Sequence, residues 1–471
     1  MNNWGFDLSD FNNVWLVMLQ IGLLLGFLLI GNILRRKIPF LRKAFIPSAL
    51  LGGILLFLVN LLFGIWNISL VNKRIMQIIT YHSLAVGFIA STLKIVENNK
   101  KKAPIKESIQ NGAITGGTYM LQAVFGILVS LIFFWIGSTF FYDAGVLLPL
   151  GFGQGPGNAL TWDINFSNMD NNSFNGNGSV GLTIASIGFI VASIVGIIYM
   201  NIFAHKGEII HKQEIIQNDV SKYEAENEIK DSDSVDKFSI QIAMVAICFL
   251  LSFLTMFGFA KLSDATGIKL FNSVAWGFNF IWGVIAASLT KLVVKFLEKK
   301  KIMKHRYINN YQMDRISGFA FDLMIIAGVA AIDIEVVGQY IWFILALCAV
   351  GTVVTLVYVR FMSKHCFKDF QHESFLVNYG TLTGTASNGM ILLKEVDPNG
   401  DTPMSNVFVL SQLPAMIFVA PLLLLLELSA SSLKGCYIAM GIFGGLFVLY
   451  TVFLILSPKI FVRIAEKKKK E

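Results

Sequence analysis

Charge is what this chain lacks most. Only 14% of its 471 residues are charged, against about 25% in a soluble globular protein. Soluble domains totalling this length need far more polar surface, so composition argues against a soluble enzyme. Cysteine is scarce as well. Cys248, Cys348, Cys366 and Cys436 lie far apart, with no CxxC and no Cys/His cluster. That argues against a disulfide scaffold and offers neither a zinc site nor a redox pair. HExxH and GxSxG are both missing, and the chain reads as not an enzyme. Residues 1 to 13 contain no Lys or Arg, so the basic start of a cleavable signal peptide is missing too.

What is present is apolar. Hydrophobic residues make up 55% of the chain, with 40 Phe and 40 Gly. A helix needs about 20 apolar residues to cross a bilayer. Eleven segments meet that need: 14–34, 47–66, 75–96, 112–136, 179–203, 239–260, 274–297, 316–336, 338–361, 405–427 and 435–456. With the N-terminus outside, 33 of the 38 basic residues fall on the inner side and 5 on the outer. This positive-inside bias predicts N-out and C-in, and it explains the net charge of +8 without a nucleic-acid partner.

Two stretches are neither loops nor good spans. Residues 145–163 read GVLLPLGFGQGPGNALTWD, and 375–397 read FLVNYGTLTGTASNGMILLKEVD. Each is half apolar and broken by Gly and small polar residues, which predicts a re-entrant hairpin. Irregular backbone at membrane depth is tolerated where it lines a cavity or is buried in protein. The GxGxGxG run at Gly151, Gly153, Gly155 and Gly157 resembles a dinucleotide loop. It contains Pro156 and is flanked by membrane helices, so it lacks the βαβ context that such a loop requires.

The predicted elements repeat. Matching starts are offset by 225 to 230 residues, except the third and eighth spans, at 241. Five spans per copy is odd, so the second copy is expected to be inverted. The fold expected is an all-α polytopic membrane protein of two inverted five-helix repeats, each with a re-entrant hairpin, plus an extra C-terminal helix. The first repeat is 1–204 and the second 239–428. Residues 205–238 form a cytoplasmic linker, and 429–471 carry the extra helix and a basic tail. Inverted repeats with broken helices are a mark of secondary transporters.

Three motifs carry a resemblance. IPSALLGG (46–53), GQGPGNA (153–159) and GTLTGTASNG (380–389) resemble the bacterial sodium/glutamate symporter family. The similarity runs in order and topology from residue 14 to about residue 427. It implies sodium-coupled uptake of glutamate across the bacterial cytoplasmic membrane, two re-entrant hairpins and a homodimer. It implies Na+ as coupling ion and no other cofactor.

The residues themselves suggest how an anion could be held. No Arg or Lys lies near the middle of a predicted span. The remaining positive potential is the N-terminus of a broken helix. Gly155, Gly157 and Gly384 allow close backbone approach, while Gln154, Asn158, Thr383, Thr385, Ser387 and Asn388 offer amides and hydroxyls. These are the candidate substrate residues. Asp322, inside a predicted span, and Thr385 are the candidates for sodium or a proton. His82 could line the path, and Gln110, Asn111 and Gln122 could add polar contacts. Two alternatives stay open: a proton- or sodium-coupled carrier of aspartate, citrate or malate, and an ion channel built on re-entrant loops.

Overall fold

The computed structural model describes residues 11–43, 46–94, 105–137, 140–169, 174–206, 237–267, 269–301, 307–397 and 402–470. The expected linker lies almost wholly outside these residues. Among them there is no strand. In chain order the helices are α1 (Phe11–Lys37), α2 (Pro39–Lys43), α3 (Ser48–Gly64), α4 (Lys73–Leu93), α5 (Ile105–Ile136), α6 (Leu147–Phe152), α7 (Pro156–Ser167), α8 (Ser179–His205) and α9 (Lys237–Thr266). They continue with α10 (Lys269–Gly277), α11 (Asn279–Lys299), α12 (Asn310–Ala330), α13 (Ile334–Cys366), α14 (Gln371–Thr383), α15 (Ala386–Val396), α16 (Met404–Ser431) and α17 (Leu433–Lys470).

A helix satisfies its backbone N–H and C=O groups within its own segment, which is what lipid demands. Nine of the described helices (α1, α4, α5, α8, α9, α11, α13, α16 and α17) are long and apolar enough to cross a membrane. The chain is an all-helical, multi-pass membrane protein. Exposed apolar side chains such as Leu29, Leu250, Val357 and Ile417 suit lipid-facing surfaces.

Three of the expected spans differ from the rest. α3 is an apolar helix shorter than a full span, ending at Gly64 before a turn where Asn67 has φ +58°. α12 begins six residues earlier than expected, because Asn309 caps it by accepting from Gln312 N–H at 2.8 Å. Every 18-residue stretch of α12 then includes Asp314, Arg315 and Asp322, too many charges for an ordinary span. The seventh expected span is divided at Phe278 into α10 and α11.

Packing gathers the helices into two compact units, each drawn from both halves of the chain. The first unit contains α1 up to Ile33, together with α3, α4 and α9 to α12. Here α12 lies against α3 and α4, and α11 against α4 and α9. Small residues set the spacing: a methyl on Gly52 would lie 2.6 Å from the Phe27 carbonyl oxygen and 3.0 Å from Ile326 Cδ1. Two polar pins then fix the starts of α4 and α12. Gln20 Nε2 donates to the Leu70 carbonyl at 2.9 Å, and Gln20 Oε1 accepts from Asn72 N–H at 3.0 Å. Asn72 caps α4 by accepting from Ile75 N–H at 3.1 Å. The pattern recurs at Gln241, which donates to Tyr307 O at 2.7 Å and accepts from the N–H of the capping Asn309 at 3.1 Å.

The second unit contains the end of α1, α2, α5 to α8 and α13 to α17. α5 runs through it, packed by α13, α16 and α17. Gly112 and Gly116 let Pro414 and Phe418 of α16 approach closely. Buried side chains hold the other contacts. Gln110 Nε2 donates to Ser457 Oγ of α17 at 2.6 Å, and Asn111 Nδ2 donates to Ser411 Oγ of α16 at 2.9 Å. Asn378 Nδ2 of α14 donates to Asn111 Oδ1 at 2.7 Å.

Candidate functional site

Both glycine-rich stretches form a helix, a break and a second helix, and both lie in the second unit. In the first, a 3-10 turn (Ala144–Val146) leads into α6, the chain breaks at Gly153, Gln154 and Gly155, and α7 returns. Gly155 has φ +84° and ψ −175°, a conformation essentially reserved for glycine. Pro156 then opens α7 with its φ preset and no N–H to satisfy. In the second, α14 ends at Thr383, the break is Gly384–Thr385, and α15 follows. There is no room for a side chain at Gly384: a methyl would lie 2.6 Å from Asn388 Nδ2 and 3.0 Å from Gly380 O.

The two breaks converge. Gly188 of α8 sits between Phe152, the last residue of α6, and the Thr383 carbonyl. A methyl there would collide with that carbonyl and lie 3.0 Å from Phe152 Cδ1. On α5, Tyr119 packs on Gly153. One turn later, Gln122 Nε2 donates to Leu382 O of α14 at 3.0 Å and to Thr355 Oγ1 of α13 at 2.7 Å. Thus one face of α5 and one face of α8 each meet both hairpins.

The return arms match in register. Asn158 and Asn388 each occupy the third position of their helix. Both are buried, at 1% and 5% exposure, and each reaches back into its own break. Asn158 Nδ2 donates to Gln154 Oε1 at 2.6 Å, while its Oδ1 has no hydrogen-bond partner. Asn388 Oδ1 accepts from Thr385 Oγ1 at 3.4 Å, while its Nδ2 has none. Gln122 Oε1 is buried and unpartnered as well. Such groups are costly in a low-dielectric interior and call for a partner: water, an ion or a polar ligand. The first N–H groups of α7, at Gly157 and Asn158, lack carbonyl partners within the helix, as do those at the start of α15. Each break therefore presents an amide end suited to an anion beside a carbonyl end suited to a cation.

Other expected residues are placed differently. The Thr383 hydroxyl donates to its own helix, at Tyr379 O, 2.7 Å. Ser387 is exposed, unlike its neighbour Asn388. Asp322 is half-buried on α12 in the first unit, whereas both hairpins lie in the second. His82 is exposed on α4, with its ring edge against Tyr81 and Phe249.

Sequence reasoning passed over two carboxylates that hold the hairpins in place. Buried Asp163 of α7 accepts from Gly181 N–H of α8 at 2.7 Å, and also from the N–H groups of Gly178 and Val180. It thereby ties the end of the first hairpin to the next helix. Asp397, just after α15, accepts from Thr402 N–H just before α16, at 3.0 Å. The signal was an acid at the end of each half-apolar stretch, read there only as part of the segment. Asn378, also passed over, had no local signal, because its partner Asn111 is far away in sequence.

The chain matches no model of a known protein family and no curated protein sequence. The resemblance to the sodium/glutamate symporters therefore rests on the three motifs and on the order of the expected spans.

Proposed function

We propose that this protein is a secondary transporter of the bacterial cytoplasmic membrane that uses a sodium gradient to take up glutamate or a related amino-acid carboxylate. The observation that carries this reading is the meeting of two helix breaks at Gly188, each with a buried asparagine at the third position of its return arm. A substrate between the breaks would meet two helix N-termini without any fixed cation. An amino acid carries both a donor ammonium and acceptor carboxylates. The open groups are complementary to it: Asn158 leaves an acceptor and Asn388 a donor. Citrate or malate could offer Asn158 Oδ1 only a neutral hydroxyl, whereas an ammonium makes the stronger, charge-assisted bond, which favours the amino acid. Sodium suits the carbonyl ends of α6 and α14, with Thr385 beside them.

The duplicated Gln/Asn pins support the inverted-repeat reading. They join α1 to the start of α4 and α9 to the start of α12, the spans that the sequence offsets pair. An odd number of spans per repeat puts the copies in opposite orientations. With the N-terminus outside, one hairpin enters from each side of the membrane, and movement of one body against the other alternates access. A homodimer is part of the same reading.

The test is uptake by purified protein in liposomes under an imposed sodium gradient, with labelled glutamate, aspartate, citrate and malate. Wild type should accumulate glutamate or aspartate only with sodium outside. Asn158→Ala and Asn388→Ala should each lower uptake at least tenfold while the protein remains folded in the membrane. Citrate or malate uptake with no amino-acid uptake would refute the substrate reading. Large ohmic currents without saturation would replace the transporter with a channel.

A further inference from the structure

Asp143 lies outside the spans and away from the hairpin tips, just before the turn that leads into α6. It is completely buried, at 0% exposure. Its Oδ1 accepts from Ser429 Oγ of α16 at 2.5 Å and from Cys436 Sγ of α17 at 3.6 Å. Its Oδ2 is buried with no partner. The neighbouring contacts are all neutral. Ser130 Oγ of α5 donates to Tyr142 O at 2.6 Å, and the Tyr142 hydroxyl donates to Ala430 O at 2.8 Å. The titratable groups facing Asp143 are Tyr142 on its own segment and Cys436 on α17. α16 and α5 contribute only the hydroxyls of Ser429 and Ser130. No Lys, Arg or His is among its partners.

We propose that Asp143 is a proton-binding site, and that its bound proton locks the base of the first hairpin onto the corner between α16 and α17. A buried carboxylate needs a cation or several donors to offset the loss of water. Here two neutral donors share one oxygen and the other oxygen has nothing, so the neutral acid is the form that fits. Burial pushes the carboxyl up to about 8, more than its bonds to Ser429 and Cys436 pull it down. Tyr142 is pushed up to about 12 and stays neutral throughout that range. When Asp143 loses its proton to solvent, a bare carboxylate remains in a closed apolar corner. Opening that corner to water is the way to stabilise the charge, and it frees the segment that carries α6. The proton thus acts on the hairpin from its base.

The sign follows from linkage. The folded carboxyl titrates near 8 and the unfolded one near the ordinary aspartate value of about 4. Between these values the folded state holds the extra proton, so stability falls as pH rises, by about tenfold in the folding equilibrium per pH unit. Below about 4 and above about 8 the slope vanishes.

The test uses the full chain in detergent and in liposomes. Asp143→Asn keeps an acceptor for Ser429 and Cys436 but cannot ionise. The melting temperature of wild type relative to this variant should fall from about pH 5 to about pH 8 and then level off. Parallel profiles would overturn the proposal. Infrared difference spectra of wild type with isotope-labelled aspartate at position 143 alone should lose a protonated-carboxyl band as pH passes 8, and a spectrum with no such band at pH 6 would also overturn it. This arm decides the matter even if the variant does not fold. The uptake arm rests on the transport reading. Wild-type uptake should decline above pH 8, while the Asp143→Asn variant keeps its rate. Wild type that transports nothing at any pH refutes the transport reading and leaves the melting and infrared arms to decide on Asp143.

Discussion

Gly188→Ala adds one methyl group where the two hairpins meet. Gly188 is an ordinary helical residue of α8 without positive φ, so alanine brings no backbone strain. Helix propensity alone favours alanine by about 1 kcal/mol. Against that, the new Cβ would overlap the Thr383 carbonyl oxygen and lie 3.0 Å from Phe152 Cδ1. The carbonyl belongs to backbone and has no rotamer to escape into, so the end of α14 has to move. Overpacking of this kind costs about 1 to 3 kcal/mol. Much of that is offset in overall stability by the propensity gain, so the melting temperature should change little. The displacement, however, falls on the second break, where the geometry of Thr383 to Asn388 matters most. If the full 1 to 3 kcal/mol is lost from the loaded state, uptake falls about 5- to 150-fold. The control is Gly318→Ala in α12, which meets nothing within 4 Å. It should leave uptake unchanged. The assay is sodium-driven glutamate uptake in liposomes, paired with thermal melts of the same preparations. Wild-type rates from Gly188→Ala, with a normal melt, would mean that the contact at Gly188 does not position the site.

Gly155→Ala places a side chain at φ +84° and ψ −175°, at a cost of about 1 to 3 kcal/mol; uptake should be lost while the helical circular dichroism is retained. Gln20→Leu and Gln241→Leu each strip the partners from one carbonyl and one N–H that are at least part-buried. Each should destabilise the first unit by about 1 to 3 kcal/mol, with similar drops in melting temperature; a large drop from one and none from the other would show that the pins are not equivalent.

Much of the architecture could be read from residue order. Long apolar runs require helices in lipid, and nine of the eleven expected spans are helices that qualify as such. The two exceptions have local causes. α3 stops at Gly64, and α12 starts early at the Asn309 cap and so takes in Asp314 and Arg315. Both glycine-rich breaks were legible as well, since Gly, Pro and Ser/Thr in half-apolar stretches interrupt helices wherever they fold. The orientation of side chains at the breaks was not legible. Thr383 and Ser387 resemble Asn158 and Asn388 as polar residues near a turn, yet the Thr383 hydroxyl is taken by its own helix and Ser387 is exposed.

The sequence by itself determined that this is a helical membrane protein, where its spans run and where two of its helices break. Those are local properties of composition, and lipid leaves the backbone few other choices. Tertiary structure alone decided which helices share a unit, that the two breaks meet at Gly188, and that Asp143 and Asp163 are sealed from water. Each of those depends on contacts between residues far apart in the chain, and hydropathy carries no record of which apolar face meets which.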